Sequence, residues 1–139
     1  MSHSIILTSM ACDVVLEDPA LYERAEGAPR SPVSRKLLAT NHGQTVALVV
    51  LDVWPGEENV ILYELFVPPR LWRQGVGSAT LVAIEAYVRN LGRTRLELDA
   101  RPLTNQLAQG WLESWYEKRG YVRFADKPER FRKELHRLP

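Results

Sequence analysis

The amino-acid sequence predicts an α/β (α+β) fold: a mixed, mostly antiparallel sheet of about six or seven strands flanked by helices. Three observations predict it. Apolar, β-branched runs separated by turn residues recur between Ser34 and Val67, the pattern of a strand meander. From Gly75 to Asn90 the apolar residues switch to spacings of three and four, the period of a helix face. Strand-like and helix-like segments then alternate, so the order reads strands, helix, strand, helix, strands. With 139 residues, 45% of them hydrophobic, the chain has enough material for one core and too little for two, and residues 1–139 are expected to form a single domain.

The elements follow in order. Glu17 to Ser34 is interrupted by Pro19, Gly27, Pro29 and Pro32, although Pro19 can open a short helix through Arg24. "SRKLLAT" and "TVALVVLDVW" read as two strands joined by a tight turn over "NHGQ", with Asn41 and Gly43 supplying the turn chemistry. Pro55-Gly56 breaks the second strand, and "NVILYELFV", Asn59 to Val67, forms a third that stops at Pro68-Pro69. Val76, Leu81, Ile84 and Val88, with Ala79, Val82 and Ala83 beside them, mark the clearest helix, and Gly92 stands where a helix C-terminal glycine belongs. "RLELDA", Arg95 to Ala100, alternates as a strand. Asn105 to Lys118 reads as a second helix that Thr104 can cap and Gly120 can end. "YVRFA" and "RFRKELHRL" close the chain as two short antiparallel strands.

Composition narrows the function classes. With 18 basic and 17 acidic side chains the formal net charge is +1, so no overall field argues for nucleic acid or an anionic membrane. Cys12 is the only cysteine; it excludes an intramolecular disulfide and a Cys-rich metal site and fits a reducing compartment, from which a cytoplasmic location is expected. The longest strongly apolar run, Val46 to Leu51, is far short of a membrane span. His3, His42 and His136 are scattered, so no histidine cluster supports metal ligation.

Gly75 and Gly77, one residue apart between a strand and a helix, raise the chemical question. Glycines there let the backbone approach a ligand, and the unpaired N–H groups of a first helical turn suit phosphate. A P-loop is disfavoured because Ser78-Ala79 follows Gly77 instead of Lys-Ser or Lys-Thr, and the three glycines of a dinucleotide fingerprint are missing. A tight turn into the helix, with no ligand, is the competing reading.

"YELFVPPRLWRQGVGSATL" resembles the acyl-CoA-binding segment of the GNAT superfamily of N-acyltransferases, in which a strand ending in Val-x-Pro leads into (Gln/Arg)-x-x-Gly-x-(Gly/Ala) and a helix. "SWYEKRGYVRF" is similar to the family's later signature, a helix ending in Tyr-Glu-Lys-x-Gly-(Phe/Tyr) followed by a strand. Together they cover roughly Leu51 to Phe124. Three departures stand out. Trp72 occupies the place of the Gln or Arg three before Gly75, with Arg73 displaced by one. Asn105 and Ala108 match Asn-x-x-Ala, yet Tyr116 comes four residues late, whereas Gln109 has the expected spacing to it. The Pro-rich region after the first strand is short where the family commonly has two helices.

The resemblance implies transfer of an acetyl group from acetyl-CoA, or a related acyl-CoA, to a primary amine of a small molecule or peptide. It implies that Arg73, Gln74, Gly75, Val76, Gly77 and Ser78 cradle the donor's diphosphate, with Asn105 or Gln109 as a further donor-binding position. The backbone at Phe66 and Val67 would pair with the pantetheine arm and polarise the thioester carbonyl. Gly75 and Gly77 would be required because a Cβ would crowd the phosphates. Arg70 and Arg73 would flank the cradle and reach the donor's outer phosphate, or belong to a solvated basic loop. Tyr116 is the candidate acid for the leaving thiolate, since a phenol keeps its proton at neutral pH; its competing role is core packing beside Trp111 and Trp115. Glu64, a carboxylate inside an apolar strand, is the first choice for holding or deprotonating the amine, against a solvent-facing position or an ion pair with an arginine. Glu97 and Asp99, on one face of the next strand, are runners-up. No metal is expected. Two other classes stay open: an acyl-CoA-binding module without turnover, and a toxin-type acetyltransferase of aminoacyl-tRNA, against which the near-neutral charge argues. A homodimer is expected by resemblance, with an open sheet edge near Phe131 to His136 able to pair.

Overall fold

In a computed structural model, which describes residues 3–10, 16–27, 31–102 and 108–136, the chain runs β1 (Ile5–Ser9), α1 (Pro19–Gly27), β2 (Ser34–Asn41), β3 (Gln44–Asp52), β4 (Asn59–Phe66), α2 (Val76–Asn90), β5 (Arg95–Asp99), α3 (Gln109–Glu117), β6 (Val122–Arg123) and β7 (Arg130–Glu134). A single 3-10 turn, Pro69–Leu71, lies between β4 and α2. The strands form one seven-stranded sheet in the order β1-β2-β3-β4-β5-β7-β6. Only β4 and β5 run parallel, joined by the α2 crossover.

Local chemistry accounts for most boundaries. Asp18 caps α1, its Oδ1 accepting from the N–H groups of Ala20 (2.9 Å) and Leu21 (3.3 Å), and Pro19 opens the helix as the sequence predicts. That helix reaches Gly27, three residues beyond Arg24. His42 and Gly43 both have positive φ, the backbone that a two-residue hairpin needs to match strand twist. Gly92 closes α2 at positive φ, with the Arg93 N–H returning to the Val88 carbonyl. Val76, Leu81, Ile84 and Val88 are buried as expected, while Val82 faces solvent.

The structure differs from the sequence reading in places. α3 begins at Gln109, not Asn105: its N-cap, Ala108, has extended backbone (φ −79, ψ 146), and the Leu112 N–H is bonded to the Ala108 carbonyl. Thr104 and Asn105 lie outside the described residues. The edge expected near Phe131 to His136 is covered in part: β7 pairs along its length with β5 and, on its other side, at Phe131 and Arg132 with β6, and among the described residues no strand pairs with Lys133 and Glu134 on that side. β1, which the sequence does not place, pairs with β2 and forms one edge.

The sheet has two covered faces. Leu37, Val49, Leu51, Leu62, Leu96 and Leu98 pack with Leu81, Ile84 and Val88 of α2 and Tyr116 of α3. Leu38, Leu48, Val50 and Phe66 pack with Leu21 and Ala25 of α1. One irregularity positions the site. Val50 pairs with Glu64 but Leu51 pairs with Leu62, so Tyr63 is an extra residue in β4. A bulge of one residue reverses the side-chain phase beyond it. Leu62 therefore faces α2, while Glu64 and Phe66 face α1.

Candidate active site

The parallel pairing of β4 with β5 ends at Leu62 and Leu98. Beyond that point no strand among the described residues covers the β5-facing edge of β4, and a cleft of about 550 Å³ opens beside Tyr63 to Val67, between the head of α2 and the inner face of α3. Its lining includes Arg73, Gly75, Gly77 and Ser78 on one side and Trp115 and Tyr116 on the other.

The backbone at the head of α2 is left with unused donors. The first N–H bonded into this helix is that of Ala79, to the Gly75 carbonyl (3.0 Å). The N–H groups of Val76, Gly77 and Ser78 therefore have no acceptor within the helix. At the partly positive end of a fifteen-residue helix they make an anion site. Gly75 is the N-cap, at φ 80, and the preceding peptide is clamped from β1's end of the sheet: His3 Nε2 donates to the Gln74 carbonyl (2.7 Å), and His3 Nδ1 accepts from the Asn41 amide (3.2 Å). The Asn41 orientation is fixed by its Oδ1, which accepts from the Ser4 N–H (2.9 Å).

Gly75 has a local requirement beside the expected crowding of phosphates. A Cβ on Gly75 would meet His3 Nε2 at 3.2 Å, in a left-handed conformation that other residues resist. A Cβ on Gly77 would stand 3.4 Å from the Trp115 ring, an ordinary contact, so the described side chains do not by themselves require a glycine there. Arg73 also sits at positive φ, 65.

The remaining predicted donor-binding residues divide. Arg73, Gly75, Gly77, Ser78, Phe66 and Val67 line the cleft. The Val67 carbonyl already accepts from the Trp72 indole Nε1 (2.7 Å), so one of its lone pairs is used. The Gln74 side chain folds back onto the Arg70 carbonyl (3.1 Å), and Val76 is buried in the core; these two contribute backbone alone. Gln109 stands at the head of α3 with its amide on the Ala100 carbonyl and on Glu113. Arg70 does not flank the cleft: its guanidinium pairs with Asp18 at the start of α1.

Tyr116 is both a core and a cleft residue. It is 7% exposed, packs edge-on against Trp115 (4.9 Å) and Tyr121 (5.5 Å), and lines the cleft. Burial pushes its phenol well above the ordinary tyrosine range, and the nearby Arg119 charge opposes this only in part. Among the described residues its hydroxyl has no hydrogen-bond partner. Glu64 is 6% exposed; its Oε2 accepts from Arg24 Nε at 3.0 Å, the arginine pair that the sequence left as an alternative. Glu97 is held away from the cleft by Asn59 (2.7 Å), Arg95 and Arg130. Asp99 reaches the rim, bonded to Arg130 (2.7 Å).

Two contributors escape the sequence reading: His3, seventy-one positions from the peptide it holds, and Arg119, at the unspecified position of "YEKRGY", whose guanidinium bonds Ser78 across the cleft. Among the described residues no three His, Cys, Asp or Glu side chains gather into a possible metal site, and no helix is long and apolar enough to cross a membrane.

A family model described as "Acetyltransferase (GNAT) family" matches residues 7–125. Solved structures share the fold at low identity. The ribosomal-protein-S18-alanine N-acetyltransferase from Escherichia coli is 14% identical, with 98% of this chain and 97% of that one aligned and a TM-score of 0.61. A GNAT family acetyltransferase from Elizabethkingia anophelis with acetyl-CoA bound is also 14% identical, with 94% and 98% aligned and a TM-score of 0.63. A mutant of the AtaT toxin, bound to the C-terminus of the antitoxin AtaR and acetyl-CoA, is 13% identical, with 95% and 94% aligned and a TM-score of 0.67. No functionally curated protein matches in sequence. A parallel strand pair whose pairing stops short of the end of β4, an open helix head beside it and a family match that spans both signatures agree: the chain belongs to the GNAT family of acetyltransferases.

Proposed function

We propose that this chain is an N-acetyltransferase that moves the acetyl group of acetyl-CoA to a primary amine of a small molecule or peptide by direct attack. One observation carries the reading: the head of α2, whose first-turn N–H groups have no acceptor within the helix, lines through Arg73, Gly75, Gly77 and Ser78 a cleft that runs on to the open edge of β4. An array of fixed N–H dipoles fits a diphosphate. The extended backbone of residues 63–67 fits the amide groups of a pantetheine arm, as an added strand fits an open edge. Acetyl-CoA bound in two of the structural relatives supports the choice of donor.

In the reaction the amine nitrogen attacks the thioester carbonyl; the new C–N bond forms, the C–S bond breaks, nitrogen loses a proton and sulfur gains one. Tyr116 suits the second transfer. Its phenol stays protonated because burial disfavours the phenolate, so it can donate to the departing sulfur and recover its proton from solvent. Glu64 suits the first. Arg24 occupies Oε2, and Oε1 has no partner among the described residues, which leaves an acceptor for an ammonium or for a water that relays its proton. The thioester carbonyl would lie along the edge of β4, where backbone N–H groups stabilise developing negative charge without reorganisation. The net charge of +1 favours a small or peptidic acceptor over aminoacyl-tRNA.

The test is calorimetric titration of acetyl-CoA and CoA into the native protein and a Gly75→Val variant, followed by thiol-release assays across amines and aminoacyl-tRNA. Binding lost in the variant and turnover on a free amine support the proposal. Tight binding with no turnover on any acceptor would favour a non-catalytic module, and turnover on aminoacyl-tRNA alone would favour the toxin-type activity.

A further inference from the structure

The cleft contains one cation whose position is overdetermined. The Arg119 guanidinium lies 3.9 Å from the centre of the Trp115 ring, donates through Nη1 to the Trp115 carbonyl (2.8 Å), and directs Nε (3.0 Å) and Nη2 at the Ser78 hydroxyl oxygen. Its backbone is pinned too, since the Arg119 carbonyl accepts from Lys133 Nζ (3.0 Å). A stacked, forked guanidinium held at several points loses little freedom when it meets an anion.

The consequence for Ser78 follows from counting. A hydroxyl oxygen accepts two hydrogen bonds and donates one. Both acceptor positions of Ser78 Oγ face Arg119 N–H groups, so the proton must be donated away from Arg119. Ser78 is the third residue of α2, its own backbone N–H is among the donors without an acceptor in the helix, and it lines the cleft. One Nη1 and one Nη2 hydrogen of Arg119 also remain. By contrast, Trp72, at the place where the resemblance expects Gln or Arg, has turned its polar atom to the Val67 carbonyl.

We propose that Arg119, acting both directly and by fixing Ser78 as a donor, binds the diphosphate of the donor and supplies the side-chain contact that Trp72 does not. This rests on the acetyl-CoA reading. The competing role is a purely structural tie between α3 and α2, and dependence on phosphate separates the two.

Native protein, Arg119→Met, Ser78→Ala and the double variant would be titrated with CoA, 3′-dephospho-CoA and pantetheine, with melting temperatures recorded alongside. Arg119→Met keeps an apolar stem on Trp115 while removing the fork. The expected result is about a 10- to 100-fold loss of affinity, the scale of a truncated charge-assisted hydrogen bond, equal for CoA and 3′-dephospho-CoA and absent for pantetheine. Ser78→Ala should weaken CoA binding in the native background and add little to Arg119→Met. Unchanged CoA affinity in Arg119→Met would overturn the proposal, as would an equal loss for pantetheine or a loss confined to ligands bearing the 3′-phosphate. A native protein that binds no CoA would overturn the acetyltransferase reading and this one with it.

Discussion

Arg24 of α1 and Glu64 of β4 form an ion pair, Nε to Oε2 at 3.0 Å, that exists only because Tyr63 is an extra residue in its strand. Without the bulge, Glu64 would share a face with Leu62 and enter the core under α2. With it, a carboxylate 6% exposed stands beside the cleft with one oxygen neutralised. Glu64→Gln should therefore lower kcat/KM for the amine by about 100-fold or more, the lower range for loss of a general base, while leaving acetyl-CoA affinity within about twofold. Steady-state kinetics with the acceptor varied, and calorimetry of the donor, check this. An unchanged kcat/KM would leave Glu64 as Arg24's structural partner alone.

Tyr116→Phe removes one oxygen and leaves the ring contacts with Trp115 and Tyr121. Because no described residue bonds the hydroxyl, the melting temperature should hardly move. Turnover should fall by about 10- to 1000-fold, bracketing the usual worth of a general acid, and donor affinity should stay. Turnover that holds while the melting temperature drops would return Tyr116 to the core.

The same burial makes a prediction about alkaline stability. Tyr116 is pushed above the ordinary phenol range by burial, and Tyr121 by burial first and then by the Glu85 carboxylate that accepts its proton at 2.8 Å. A group whose folded-state pKa is raised contributes stability that is complete below its unfolded value, about 10 for tyrosine, and is lost as pH rises beyond it, because the unfolded chain then holds fewer protons. Unfolding free energy should thus be indifferent to these two residues at neutral pH and fall above about pH 10. Urea titrations from neutral to strongly alkaline pH should show a steep decline in the native protein and a shallower one in Tyr116→Phe. Identical slopes would mean that Tyr116 is solvated in its ionised form.

What the sequence discloses and what it hides separate along physical lines. Periodicity is local, so α2, the β2–β3 hairpin and the strand Arg95–Asp99 are readable from their own residues. The linked Gly and Tyr signatures likewise locate both walls of the cleft. The extra residue at Tyr63 is invisible, because a bulge is a mismatch between two strands, and with both faces of the sheet covered every second residue of β4 from Val60 to Phe66 is buried although the face changes at the bulge. Long-range partners hide for the same reason: nothing near Glu64 names Arg24, and nothing near Gln74 names His3. β6 falls within the segment "YVRFA" that reads as a strand, whereas β1, Ile5–Ser9, is missed because its place is fixed by its pairing with β2, far along the chain. α3 is over-extended in the sequence reading because helical spacing runs on through residues whose backbone, at Ala108, is extended.

The cradle's backbone yields a prediction with opposite signs at neighbouring positions. Arg73 and Gly75 both hold positive φ, 65 and 80, yet only one of them is a glycine. A left-handed conformation costs a residue with a Cβ about 1–2 kcal/mol, and glycine returns roughly 0.5–1 kcal/mol of that through its greater freedom in the unfolded chain. Arg73→Gly should accordingly raise stability by about 0.5–1 kcal/mol, and Gly75→Ala should lower it by at least about 0.5 kcal/mol, the more so because the new Cβ would stand 3.2 Å from His3 Nε2. Donor affinity should fall in both, for different reasons: Arg73→Gly removes a cleft-lining cation and should weaken the salt dependence of binding, whereas Gly75→Ala tilts the N–H array and should leave that dependence alone. Chemical denaturation paired with acetyl-CoA titrations at two ionic strengths separates the cases. Destabilisation by Arg73→Gly would show that the arginine's contacts outweigh the strain at its backbone, and the cradle would then be held by side chains as much as by its glycines.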